Sequence, residues 1–501
     1  KIKTTAYGGA ASGGLVAASF GYFEANSILA KKDGSAAVYT KLGEGVEINA
    51  QAINIDTNSK DTVLSDSISG ALGIGKVALA GAGAKNNSHT YQRAEIEISD
   101  KVKIKATNSI KIRANIDQSK DNGGDEEIDS RLYVIDLAAG LGALSGAGGI
   151  NKTIIGSAAN IKVSNDVEIS ANQIELNAEN DISKSNNAYE FNTVVVSAAI
   201  GISASFSYGE SETNLGYWIG DSQKLAGSSI NIGERTSLYG SQKIDITTKN
   251  DVRLRSKGSF DAVAVIGGTK SKNDINADIM SNIVVGKDTF INSTAGNITI
   301  STLGGLRITN HLDAISGALG GGLAEATTVI NSKNNVSLDG VSLEANNINL
   351  FAGENSNRIR NTIDVNTQAH NKLMAIGYAK ASAKSDTSDS NIINIANASK
   401  LKARDNISLN ALAGKIESVS RQSSAIVGPY SDVKPGDKNN SKNNNEVIIS
   451  ELAQLIAGYE SIQKIWTLPS RLDNDLIAQQ QYLTNNLNTP LKLNENLSND
   501  Q

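Results

Sequence analysis

The sequence predicts an all-β protein, a right-handed parallel β-helix (β-solenoid) of irregular modules about 60 residues long. Three observations carry that prediction. A short phrase of alternating apolar residues recurs along the chain, a Gly/Ala-rich segment recurs with it, and no proline occurs before Pro429.

The phrase is cleanest at residues 167–178, V-E-I-S-A-N-Q-I-E-L-N-A. Val167, Ile169 and Ala171 alternate with polar residues, and so do Ile174, Leu176 and Ala178. A period of two marks a strand with one buried face. Asn172 between the runs suits a corner, because Asn tolerates the left-handed conformation of a sharp bend. The same form reads at Val46/Ile48 with Ile53/Ile55, Val102/Ile104 with Ile110/Ile112, and Ile244/Ile246 with Val252/Leu254. It returns at Ile298/Ile300 with Leu306/Ile308, at Val341/Leu343 with Ile348/Leu350, and more weakly at Ile407/Leu409 with Ile416. That makes about seven modules over residues 1–427.

In several modules a third short strand precedes the pair: Ile96/Ile98, Ile161/Val163, Ile230/Ile232 and Ile393/Ile395. Three strands with tight corners would make one coil, whose Val and Ile stack on the next coil in a dry column. Coils of roughly 20–25 residues would give about 17–21 of them and a rod ~80–100 Å long. Proline fits the same picture, since a strand paired on both sides cannot spare its N–H.

The Gly/Ala segments lie at 8–22, 70–84, 138–149, 197–204, 263–268, 316–324 and 374–383. Residues 193–208 put Val194, Val196, Ala198, Ile200, Ile202, Ala204, Phe206 and Tyr208 on one face. The other face is mostly tiny, which lets a neighbouring layer approach closely. A membrane barrel would also alternate, but it carries aromatic girdles, for which Phe206 and Tyr208 are the only candidates here. Polar links at 85–92 and 209–214 follow the Gly/Ala segments and read as loops.

Character changes after residue 427. Residues 428–445 read as a flexible polar linker. Ile448, Leu452, Leu455, Tyr459, Ile462 and Trp466 then recur at helical spacing. With Leu472, Leu476, Leu483 and Leu487 beyond Pro469, they predict an amphipathic helical hairpin over 446–490, and residues 491–501 read as a disordered tail.

Composition narrows the function classes. The chain has 501 residues, a formal charge of −5 and no basic block, so nucleic acid is not an expected partner. Its 13 Tyr, 7 Phe and 2 Trp are too few for a ring-built core. The absence of Cys excludes a disulfide scaffold and suits export in an unfolded state. The most apolar run, 194–204, is too short for a membrane helix of ~20 residues. Lys1 stands where an initiator Met would, so an excerpt of a longer exported protein is expected.

No chemistry-bearing motif emerges. His89, His311 and His370 are far apart in sequence and form no H-E-x-x-H or His-paired metal motif. Gly73-Ile74-Gly75-Lys76 is only a partial echo of a phosphate loop. The acidic stretches 121–129 and 386–389 offer oxygens to Ca²⁺ without matching a calcium-loop spacing. Glu47, Glu168 and Asp245 occupy outward positions that a sugar-cleaving β-helix could use, yet the matching positions hold Lys103, Thr299 and Ser342. No catalytic, cofactor-binding or metal residues are therefore predicted, and no cofactor.

The recurring V-x-I phrases, the N-I-S-L-N-A-L-A-G-K-I stretch at 406–416 and the lack of Cys resemble the large exoproteins of two-partner secretion, of the filamentous-haemagglutinin type. The Gly/Ala segments and the Asn/Lys/Ile bias are similar to leukotoxin-type filamentous adhesins of fusobacteria. That resemblance implies a secreted or surface-displayed solenoid that uses an outer-membrane transporter for export and binds host cells or matrix. It supplies no active site. The expectation is a non-enzymatic adhesin whose loops at 85–92, 121–129 and 384–390 make the contacts. A membrane-acting cytolysin and a polysaccharide-degrading enzyme stand as alternatives.

Overall fold

The computed structural model describes residues 2–29, 38–59, 63–117, 128–184, 191–216, 226–317, 319–355, 357–373, 376–426, 431–432, 438–458, 466–467 and 471–472. Every element among them is a strand. Apart from two short antiparallel pairings near the end and one isolated bridge, the strands join in parallel into one continuous ladder.

Register shows how the chain winds. Glu47 is opposite Lys103, Lys103 opposite Glu168, Glu168 opposite Ser237 and Ser237 opposite Phe290. Phe290 is opposite Ser342, Ser342 opposite Lys400 and Lys400 opposite Gln454. One module is therefore one whole coil, not a stack of several. Eight rungs at ~4.8 Å make a stack about 35 Å tall. The expected coil of 20–25 residues and the 80–100 Å rod are corrected accordingly. The solenoid is wide and short.

Part of each coil does form the expected three-sided column. Ile96 and Ile98, then Ile104, then Ile110 and Ile112 close one triangle, and all are fully buried. Ile161, Ile169, Ile174 and Leu176 sit on the next rung, and Ile230, Leu238, Ile244 and Ile246 on the one after. Ile244/Ile246 thus match Ile174/Leu176, and Leu238 is the true counterpart of Ile169. Val252, Leu254, Leu306 and Ile308 belong to a separate aliphatic cluster further along the coil.

The corners also differ from expectation. Lys101, Asp166, Arg235, Asp288 and Asn397 take positive φ near 55°, with Gly45 and Gly340 in the matching places. The left-handed residue thus precedes the short strand. At the corner marked by Asn172 the ladder instead shifts register, as between Gly240 and Lys243.

The remainder of each coil is a flat blade. The chain leaves the column on Lys103–Asp117, continues on Ile128–Ala139, reverses at Gly140 and Leu141, and returns on Gly142–Val163. Twenty-two residues at ~3.3 Å make that return about 70 Å long. Outgoing strands of successive coils form one sheet, returning strands a second, and the two face each other. Their inner sides carry Ala, Ser, Thr and Asn, which brings the layers close. Gly149 is flanked by Leu132 and Val195, either of which would come within 2.6 Å of an added Cβ. Gly209 leaves the space that the Phe260 ring fills.

Several buried polar side chains between the sheets bond one another along the stack. Ser130 Oγ donates to Asn151 Oδ1 at 2.5 Å, and Asn151 Nδ2 donates to Thr193 Oγ1 at 2.8 Å. Asn180 Nδ2 donates to Asn250 Oδ1 at 3.1 Å, and Asn334 Nδ2 to Asn391 Oδ1 at 2.9 Å. Such ladders hold coils in register because a slip would strand buried donors and acceptors.

Two further expectations change. Residues 85–92 lie within strand Val63–Ile98, and residues 384–390 within Ile376–Ala396, so neither is a loop. Lys438–Ile449 and Gln454–Ala457 extend the ladder in parallel, so the end of the expected linker and the start of the expected helical hairpin are strands. Ile448 and Leu455 are strand residues, and Leu455 occupies the eighth rung of the column. Ladder pairing decides this over helical spacing, since each residue finds its partner one coil back. Trp466–Thr467 and Arg471–Leu472 are short strands, and 459–465, 468–470 and 473–490, with 491–501 and 121–127, lie outside the described residues.

Candidate functional site

The outer skin of the blade is its most distinctive surface. Along Thr193–Ile200 and Ser203–Leu215, the small face, with Ser197, Ser203, Ser205 and Ser207, is buried. The apolar face points outward. Ile202 is 77 % exposed, Leu15 72 %, Phe20 70 % and Phe206 53 %, and Ile200, Ile266 and Tyr378 share the same skin. Small residues predominate on the buried side, where they let the two layers close up, and Ile200, Ile202 and Phe206 face out.

Glycines shape that skin. Phe206 is in register with Gly146 and Gly268, and its ring lies across Gly268, where an added Cβ would meet it at 3.2 Å. Phe20 covers Gly81 in the same way and Tyr22 covers Gly83. A ring laid over a bare strand shields its backbone from water. Tyr208 donates to Glu210 at 3.1 Å, and burial followed by the Glu210 charge pushes its phenol up. The Lys270 ammonium lies 6.0 Å from the Tyr208 ring centroid, at the limit of a cation–π contact.

Charged residues elsewhere on the surface pair across coils. Glu47 meets Lys103 at 3.0 Å, and Glu168 meets Lys105 at 3.0 Å. Asp245 pairs with Lys243 on its own strand, and Arg113 grips Glu175 through two hydrogen bonds of 3.0 and 3.1 Å. The Lys103 hydrogen bond and charge hold the Glu47 carboxyl below its ordinary value. Each of the outward carboxylates considered from sequence thus pairs with a lysine, and Asp245 is also the register partner of Glu175 on the coil before. Gly73 to Lys76 lie in strand Val63–Ile98 near the blade tip. Asp386 pairs with Lys384, and buried Asp389 accepts from Asn361 and Asn391 at 2.8 and 2.9 Å.

One row of acids does stack. Asp117, Asp181 and Asp251 are register partners on three successive coils. Burial, followed by the Asp251 charge, pushes the Asp181 carboxyl up to about 6, and its Oδ1 has no hydrogen-bond partner.

Histidines separated in sequence come together on the outgoing sheet. His311 and Asp313 lie two apart on strand Asn297–Ser316, and His370 on Thr362–Leu373 is the register partner of Asp313. One donor atom from each lies within 4.8 Å of the others. His311 Nε2 is 3.0 Å from Asp313 Oδ2, and the two rings are 5.3 Å apart. His311 Nδ1 bonds Gln368 Oε1 at 2.9 Å, and His370 Nδ1 bonds Ser423 Oγ at 2.6 Å. Burial lowers the His370 imidazole below its ordinary value, opposed by the Asp313 charge and reinforced by that of His311. Reading the sequence missed this group, because 57 residues separate Asp313 from His370. The signal was the coil length itself, which places residues one module apart side by side.

No protein-family model, no curated protein and no solved structure matches the chain.

Proposed function

We propose that this chain is a non-enzymatic binding solenoid, a secreted or surface-displayed adhesin that holds host cells or matrix through the outer skin of its blade. The observation that carries this reading is the outward apolar face at Ile200, Ile202 and Phe206, continued by Leu15 and Phe20 on other coils. Exposed apolar surface of this kind marks an interaction site in a water-exposed protein. Along one register row the aromatics recur at Phe20, Phe206 and Tyr378 with glycines on the coils between, so weak contacts spaced along the stack add through a raised effective concentration. Within the same reading, the coils wind right-handedly, the chain is part of a longer exported protein, and an outer-membrane transporter is its partner during secretion. The contacts move from the loops expected at 85–92 and 384–390 to the blade skin, because those stretches are strands.

The second reading, a cytolysin acting on host membranes, is favoured by one specific feature. Leu15, Leu141 and Ile202 are among the exposed residues at the blade tip, where the chain reverses, a tip that also carries Lys76. Apolar side chains at such an edge are suited to the acyl boundary of a bilayer. Binding to intact animal cells and dye release from lipid vesicles separate the two. The adhesin reading expects cell binding that falls at least about tenfold in Phe206→Ser with Phe20→Ser, and no leakage. Leakage that is lost in Ile202→Ser with Leu15→Ser transfers the function to the second reading, and neither activity removes both.

A further inference from the structure

We propose that His311, Asp313 and His370 form a binding site for one divalent transition-metal ion of the zinc class, a site distinct from the apolar skin. Two imidazoles and a carboxylate are the donor set that zinc accepts in open three-ligand sites. Around a tetrahedral zinc with bonds near 2.0–2.1 Å, donors stand about 3.3 Å apart. The His311 Nε2 to Asp313 Oδ2 separation of 3.0 Å already matches, and all three donors fall within 4.8 Å.

The neighbours prepare the rings for this task. Gln368 Oε1 engages His311 Nδ1 and Ser423 Oγ engages His370 Nδ1, which leaves Nε2 of each imidazole for the ion. Gln368 is itself oriented, because its Nε2 donates to Asn366 Oδ1 at 2.9 Å. Outer partners of this kind fix ring orientation and raise ligand basicity in established metal sites. Along the row of Asp313 and His370, the neighbours on the coils before and after are Ser259 and Ser423, both neutral. His311 and Asp313 keep side-chain exposures of 20 % and 34 %, so an ion can enter and a water can complete its shell. The ligands come from two coils, and the ion would therefore staple coil to coil. Binding to the folded state alone raises stability with metal concentration.

The test uses the full chain without an affinity tag, stripped with a chelator and titrated with Zn²⁺ against a chromophoric competitor. The expected result is one ion per chain, with affinity reduced at least about tenfold in each of His311→Ala, His370→Gln and Asp313→Asn. His370→Gln keeps a polar side chain beside Ser423, and circular dichroism establishes that each variant retains its strands. His89→Ala, which alters the remaining histidine, should bind as the parent does. Co²⁺ should give the intense visible bands of a tetrahedral site in the parent and not in His370→Gln. A rise in Tm with Zn²⁺ should likewise appear in the parent and vanish in the variants. Absence of a saturable site in the parent, or affinity unchanged in both histidine variants, would overturn the proposal.

Discussion

The column and the blade share one ladder and obey opposite side-chain rules. In the column, large aliphatic residues such as Ile104, Ile169 and Leu238 point inward and charged residues point out. In the blade, mostly Ala, Ser, Thr and Asn point inward, with larger residues such as Leu132 and Phe260 at intervals, while Ile202, Phe206 and Tyr378 point out. The difference follows from geometry. A three-sided coil encloses a volume that branched side chains fill throughout, whereas the two facing sheets close mostly on Ala, Ser, Thr and Asn and take larger side chains only in patches, such as Leu132, Val195 and Phe260 and the aliphatic cluster around Val252 and Leu306. The column is thus a core in the ordinary sense. The blade is a sandwich held by backbone pairing, polar ladders and smaller apolar clusters, and many of its larger hydrophobic residues are left on the outside.

The largest effect should come from breaking the column. Ile169→Asp puts a carboxylate without a partner into a fully buried site, at a cost of several kcal/mol. Glu168→Gln, one residue away on the outside, loses only an exposed ion pair with Lys105 and should change stability by no more than about 1 kcal/mol. Urea midpoints of the pair measure the contrast, and similar shifts would mean that the register is wrong.

Next in size is overpacking of the blade interior. Gly209→Ala drives a methyl into the Phe260 ring, which should cost about 1–3 kcal/mol. Shortening the ring in a Phe260→Leu background should recover much of that, as a double-mutant cycle reports. Gly146→Ala provides the comparison on the opposite face, since an added Cβ there meets nothing within 4 Å. It should be neutral or stabilise by up to about 0.5 kcal/mol. Equal losses at Gly209 and Gly146 would show that the two sheets do not meet as described.

A smaller effect concerns the acidic row. Asp181 has a folded-state pKa of about 6, above the ordinary carboxylate value, so its charged form is the one that the fold disfavours. The cost is full above pH 6 and disappears as pH falls below the unfolded value near 4. After allowance for partial exposure, Asp181→Asn should stabilise by about 1 kcal/mol at pH 7. The advantage of the variant over the parent should shrink steadily between pH 6 and pH 4. An advantage that stays constant across that window would assign the gain to something other than the carboxylate charge.

The column was legible in the sequence because its signal is local. Val167, Ile169, Ile174 and Leu176 alternate within one phrase, and alternation over a few residues suffices to name a strand and its buried face. The blade was not legible to the same depth. Residues 193–208 show two faces plainly, but alternation cannot say which one is buried when the packing distance, not hydrophobicity, makes the choice. Coil length was hidden for a related reason. Short strands and corners look alike whether a coil closes after 25 residues or after 60, and only the partner of each strand distinguishes them. Leu455 illustrates the point: its spacing from Ile448 and Leu452 suits a helix, and its register with Leu401 makes it a strand. His311 and His370 became neighbours through that same register.

The smallest expected stability effect belongs to the residues with the largest proposed role. Ile202 and Leu15 sit at chain reversals and are mostly exposed, so they bury little area in the folded chain. Replacing either with Ser removes apolar surface from water rather than from a core, and stability should change by no more than about 0.5 kcal/mol. Solubility should rise, because a patch that favours self-association is reduced. Column substitutions reverse that pattern, with large losses of stability and no specific loss of contact at equal folded fraction. The decisive measurement is cell and vesicle binding of Ile202→Ser with Leu15→Ser beside urea unfolding of the same sample. Binding or leakage that drops while the midpoint holds identifies the tip as a surface kept for a partner. A midpoint that falls as far as in Ile169→Asp would instead make these residues part of the fold, and the distinction between column and blade would fail at its edge.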